Sequence, residues 1–138
     1  MHSYLRPLAR ILIGLLFIFS GFSKIVAFSA VSGMMGAAGF PAPGILLVVA
    51  IIIELAGGIM LAVGYRVREA SIVLALFLVP TTLVFHVAAI DGTQQGQMEI
   101  VATLKNLAII GGLLHLIAGG ARAAEQGMER ESSASHAV

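Results

Sequence analysis

Long apolar runs alternate along the chain with short interruptions in which charge, glycine or proline collects. Cutting at those interruptions leaves four apolar stretches, residues 7–27, 43–63, 70–90 and 100–120. Each is ~31 Å long as a helix at ~1.5 Å per residue, which matches a hydrocarbon core of ~30 Å. Backbone amides in lipid must be satisfied within their own segment, and the alternating pattern of barrel strands is absent, so the stretches are predicted helices. The expected fold is an all-α integral membrane protein, a four-transmembrane-helix bundle forming one domain over residues 1–122. The connection "FSAVSGMMGAAGFPAPG" places Phe28, Val31, Met34, Met35 and Ala38 at helical spacing. It predicts a short interfacial helix between helices 1 and 2, stopped by Gly39 and Pro41. The tail, residues 123–138, is polar and rich in small residues, and disorder is expected there after a frayed helical start.

Composition strengthens this picture: 59% of the 138 residues are hydrophobic and 11% charged, with a mean hydropathy of +1.02, well outside the range of soluble domains. The arginines set an orientation. Arg6 and Arg10 lie near the start of the first stretch, Arg66 and Arg68 between the second and third, and Arg122 and Arg130 after the fourth. By the positive-inside rule these regions face the cytoplasm, so both termini are expected inside a bacterial inner membrane. The first stretch has a basic start and a weak small-x-small site at 27–29, as a signal peptide would, but is expected to be retained. A net charge of +1 without a basic tract excludes nucleic acid as a partner and leaves the lipid bilayer. The absence of cysteine excludes thiol redox chemistry and disulfides. No zinc spacing, phosphate loop or nucleophile elbow occurs, so no metal site is expected.

Against this apolar background, Glu54 stands in the middle of "ILLVVAIIIELAGGIMLAV". Ala50, Gly57 and Gly58 share its helical face, while Ile52, Leu55, Ile59 and Val63 lie on the other. Small residues mark faces where membrane helices approach closely, so Glu54 is predicted to point into the bundle. Helix 1 contributes Gly14, Phe17, Gly21 and Lys24 along one stripe, with Ser20 a turn before the lysine. Helix 3 contributes Thr82 and His86 beyond Pro80, which removes a backbone donor. Helix 4 contributes Lys105, Gly112 and His115, with Asn106 beside the lysine. Counting from the outer helix ends places Lys24 roughly 5 Å deep, His86 roughly 6 Å, Lys105 roughly 8 Å, Glu54 roughly 16 Å and His115 roughly 22 Å. The outer half of the bundle is therefore expected to hold a polar pocket, in which Glu54 is paired, hydrated or protonated.

These polar positions sit within "LARILIGLLFIFSGFSKI", "GFPAP", "IIIELAGGIMLAVGYRVREAS", "FH" at Phe85 and His86, and "LKNLAIIGGLL". Together they resemble the DoxX family of small four-helix bacterial membrane proteins, a likeness that covers the chain to about Arg122. The resemblance implies association with quinol-oxidising, thiosulfate-oxidising or other membrane oxidoreductase systems, although many members have no known activity. Carried over by position, the family's recurring polar set falls on Lys24, Glu54, His86, Lys105 and Asn106.

Each residue has a structural alternative. Glu54 with Lys24 or Lys105 can be a buried pair fixing helix register, or a ligand or proton site. Lys24 can snorkel to the head groups, and His86 and His115 can be hydrogen-bonding residues between helices. A two-histidine haem is excluded, since His86 and His115 differ by roughly 16 Å in depth. No intrinsic cofactor is expected, and quinone is the candidate ligand. Two functional readings follow. In one, the pocket binds quinone or another small amphiphile, with Lys24, His86 or Lys105 donating to its head and Glu54 relaying protons. In the other, the protein is a non-catalytic anchor or scaffold of an oxidoreductase or stress-response complex. Its candidate partners are then membrane-bound or soluble oxidoreductase subunits, or further copies of the chain.

Overall fold

The computed structural model describes residues 4–86, 89–90 and 93–135, with side chains as far as residue 119. Five helices follow in order: α1 Leu5–Val26, α2 Phe28–Ala37, α3 Pro43–Val63, α4 Val67–Phe85 and α5 Gln94–Ser135. Among the described residues there is no strand. Helices α1, α3 and α4 and the part of α5 from Gln94 to Gly119 are each long and apolar enough to cross a membrane. With 10 residues, α2 is too short to do so and lies between the first two spans, as its hydrophobic spacing predicts.

Two glycines set the turns. Gly39 after α2 and Gly64 after α3 have φ of 84° and 81°, the left-handed region that only glycine enters freely. Each closes its helix with a glycine-terminated cap. Phe40 N–H bonds Met35 O at 3.1 Å after α2, and Tyr65 N–H bonds Met60 O at 2.9 Å after α3. Pro43 then occupies the first turn of α3, where its missing N–H costs nothing. Pro80 lies inside α4. Nearby, the Thr81 and Thr82 hydroxyls donate to Phe77 O and Leu78 O at 2.7 Å each, supplying donors beside the place where the proline supplies none.

Boundaries differ from expectation at both ends of the last two helices. Helix α4 starts at Val67, before residue 70, because Arg66 in the left-handed region reverses the chain directly after Gly64. It ends at Phe85, with His86 capping it and turning its ring toward α5. Helix α5 begins at Gln94 and runs past residue 120 to Ser135. Ala, Glu, Arg, Gln and Met dominate "ARAAEQGMERE", and all favour helix. Residues 87–88 of the third apolar stretch, 91–92 of the following connection and 136–138 of the tail lie outside the described residues.

The spans form a ring in the order α1, α3, α4, α5. Helix α1 packs closely on α3, α4 on α5 and α3 on α4, whereas α1 and α5 meet sparsely and α3 and α5 are diagonal. The α1–α3 contact is a backbone approach through small residues. A Cβ on Gly14 would stand 2.6 Å from Gly58 O, and one on Gly58 would stand 2.8 Å from Gly14 O. Phe17, Leu61, Ala70, Leu74, Leu78 and Leu113 form the core between the four spans. Met35 of α2 packs on Leu47 and Ile51 of α3 and closes one end of the bundle, the α2 end. Met34, expected on the same face as Met35, is exposed. Phe19 and Leu76, 74% and 70% exposed, typify the outward apolar surface that a bilayer would cover.

Candidate functional site

Glu54 is 4% exposed and points into the bundle, as its small-residue face predicts. Lys24, in the last turn of α1, donates from Nζ to Glu54 Oε1 at 3.0 Å and to Ser20 Oγ at 2.8 Å. Ser20 Oγ donates in turn to Glu54 Oε1 at 3.2 Å. Glu54 Oε2 lies 2.9 Å from the same ammonium but off the direction a hydrogen bond requires, so this buried oxygen has charge compensation without a hydrogen bond. The pairing is possible because Gly21 lets α3 approach. A Cβ there would stand 3.3 Å from Glu54 Cβ and 2.9 Å from Leu55 Cγ.

Side-chain direction completes the geometry. Helical side chains lean toward the N-terminus of their own helix. Helices α1 and α3 run antiparallel, so Lys24 leans from the α2 end toward the middle while Glu54 leans from the middle toward the α2 end. The difference in depth counted along the two helices is spanned from both sides.

The packing order separates Lys105 from Glu54. On α5, which descends from the α2 end, Lys105 leans back toward that end, and α5 is diagonal to α3. Lys105 is exposed and has no hydrogen-bond or ion partner among the described residues. Its neighbour Asn106 is buried and donates from Nδ2 to Thr82 Oγ1 at 3.0 Å, tying α5 to α4. His86 Nδ1 lies 2.6 Å from Glu99 Oε2, with side chains 30% and 25% exposed. The contact is an ion pair when His86 is protonated and a hydrogen bond from Nδ1–H when it is neutral. Glu99 stands one residue before the apolar stretch at 100–120 and is not among the residues singled out from the sequence. The available signal was an acidic residue entering helix 4 at the depth where His86 leaves helix 3. His115, considered as a hydrogen-bonding residue between helices, is exposed and has no such partner among the described residues.

All five residues singled out from the sequence line one cavity of about 590 Å³, within the ~300–1,000 Å³ typical of ligand sites. Ser23, Lys24, His86 and Lys105 occupy its part nearer the α2 end. Leu16, Phe17, Leu78 and Ile109 line the deeper part, and Ala27 and Val31 lie at the approach to α2. Such a cavity presents ammonium and amide donors above an apolar floor, with one buried carboxylate behind the first lysine. It suits a molecule with a hydrogen-bond-accepting head and an apolar body. Among the described residues, no group of His, Asp and Glu is placed to hold a metal ion.

A family model described as DoxX matches residues 6–87, a span that includes Lys24, Glu54 and His86 and stops before α5. The chain is similar to the inner membrane protein YqjF of Escherichia coli strain K12, 33% identical over 112 residues that cover 81% of each chain. It is also similar to the inner membrane protein YphA of the same organism, 26% identical over 114 residues covering 82% of this chain and 81% of the relative. No solved structure matches it.

Proposed function

Because the chain belongs to the DoxX family and is a small multi-pass inner-membrane protein, we propose that it binds a small amphiphile in the cavity at the α2 end of its bundle, with quinone as the first candidate. The observation that carries this reading is the convergence of Lys24, Glu54, His86, Lys105 and Asn106, from four helices, on one apolar-floored cavity. Intramembrane polar groups are costly, and a cluster that lines a cavity instead of filling an interface favours a ligand. In this reading Lys105 and the Lys24 ammonium donate to a carbonyl oxygen of the head, and Glu54 is the nearby proton-holding group. The arginine distribution supports an orientation with the cavity in the outer half of the membrane and both termini in the cytoplasm. The reading assigns binding and includes no turnover.

One observation favours the second reading, a non-catalytic anchor of an oxidoreductase or stress-response complex. Ser20, Lys24 and Glu54 satisfy one another, as a structural pin between α1 and α3 would. Thermal unfolding with ubiquinone and menaquinone analogues separates the two. A ligand at about a hundred times its Kd raises stability by ~2.7 kcal/mol. The shift is expected in wild type and lost in His86→Gln and Lys105→Gln, both of which fold because their side chains reach the bundle surface. No shift in wild type across a wide concentration range ends the quinone reading. Capture of a soluble oxidoreductase indifferent to both substitutions then supports the anchor.

A further inference from the structure

The ring of spans is closed at three seams and open at one. Helices α1 and α5 meet tightly where Ile13 approaches Gly112, at which a Cβ would stand 3.0 Å from Ile13 Cδ1. Over their whole length the two helices share little contact, and the cavity lies between them toward the α2 end, with Leu16, Phe19, Ser20 and Ser23 on one side and Lys105 and Ile109 on the other. Leu16 and Phe19, 39% and 74% exposed, face the surface that lipid would cover. The cavity thus opens sideways, between two spans, into one leaflet.

Its polarity has a direction. From Leu16 and Phe17 to Ser23 and Lys24 along α1, and from Leu78 to His86 along α4, the lining changes from apolar to polar over roughly 11 Å and 12 Å toward the α2 end. From Ile109 to Lys105 along α5 it does so over roughly 6 Å. An amphiphile of the leaflet on that side already has its head toward the same end, and can enter sideways without turning over.

The charges select the head. Lys24 is paired with Glu54, and His86 with Glu99. Lys105, at the open seam, is the charged group of the lining without a partner among the described residues. A lone ammonium beside low-dielectric walls gains most from an opposite charge.

We infer that the cavity takes a single-chain amphiphile with an anionic head, a carboxylate or comparable singly charged group, which enters from the leaflet between α1 and α5 and sets its head against Lys105. The inference rests on the reading of the cavity as an amphiphile site and adds the charge and the route. Purified protein in nanodiscs of zwitterionic phosphatidylcholine is titrated with dodecanoate, dodecanol and dodecylammonium, and thermal unfolding is followed for wild type and Lys105→Gln. In wild type, dodecanoate is expected to stabilise at a concentration at least tenfold lower than dodecanol, and dodecylammonium not at all. In Lys105→Gln, the advantage of dodecanoate over dodecanol is lost. Equal potency of dodecanoate and dodecanol in wild type, or a preference for dodecanoate that survives Lys105→Gln, overturns the anionic assignment while leaving the amphiphile site standing. Failure of all three compounds to stabilise wild type overturns the inference, while the quinone titration decides the reading on which it rests. For the route, Leu16→Trp and Phe19→Trp place an indole at the seam of a chain that contains no tryptophan, and stopped-flow quenching by a brominated dodecanoate is expected to exceed that given by free lipid. A control, Leu76→Trp on the lipid face of α4, shows only the quenching of free lipid. Quenching at the seam no greater than at residue 76 overturns the lateral route.

Discussion

Lys24 and Glu54, 30 positions apart in the chain, join α1 to α3 through a single ammonium that contacts both carboxylate oxygens, at 3.0 and 2.9 Å. The carboxylate is nine-tenths buried and the lysine one-quarter exposed, so the pair lies where the solvent that weakens surface ion pairs is scarce. Its strength depends on the backbone approach at Gly14, Gly21 and Gly58, which makes the pair and the α1–α3 packing one unit.

Breaking that pair from one side leaves an uncompensated buried charge. Glu54→Gln and Lys24→Met are each expected to cost about 3–5 kcal/mol, and the double substitution less than their sum. Lys105→Met combined with Glu54→Gln is expected to be additive, because α5 stands diagonal to α3 across the bundle. A thermal-unfolding cycle in detergent measures both couplings. Additivity between residues 24 and 54 would remove the pair as a stabilising element.

Glycines differ sharply in what they hold. Gly14→Ala forces a Cβ to within 2.6 Å of Gly58 O, and overpacking of this kind costs about 1–3 kcal/mol. At Gly111 nothing lies within 4 Å of the added carbon, and Gly111→Ala is expected to change stability by no more than about 0.5 kcal/mol. Comparable losses at both positions would contradict the α1–α3 approach.

His86 and Glu99 join the end of α4 to the first turns of α5. Both are partly exposed, so a double-mutant cycle with His86→Gln and Glu99→Gln is expected to give a coupling of about 0.2–1 kcal/mol, weaker than that of Lys24 and Glu54. A coupling equal to the buried pair's would show that water is excluded from this end of the bundle.

Orientation is read by labelling. The chain contains no cysteine, so Ser32→Cys, Thr93→Cys and Ser133→Cys each introduce a single thiol. In intact cells an impermeant reagent is expected to modify the first two and leave the third. Modification of Ser133→Cys alone would reverse the topology and move the cavity to the inner half of the membrane.

Hydrophobic periodicity by itself determined the four spans, the short helix between the first two, and the inward face of Glu54. Each of these is a local matter of segment length and of which residues share one helical face. Charge and amide groups stand out in an apolar run, and the resemblance to the DoxX family narrowed them to the five that line the cavity. What it left open was partner choice. Lys24 and Lys105 were equivalent candidates for Glu54. The choice between them depends on α1 being packed beside α3 while α5 stands diagonal to it, and on the opposed lean of side chains in antiparallel helices. Glu99 lies outside the apolar stretch at 100–120, and it is the start of α5 at Gln94 that carries it against His86. The open seam between α1 and α5 has no counterpart in any local pattern. A gap between helices is a property of how all the spans close on one another, and only the assembled bundle decides where the ring stays open.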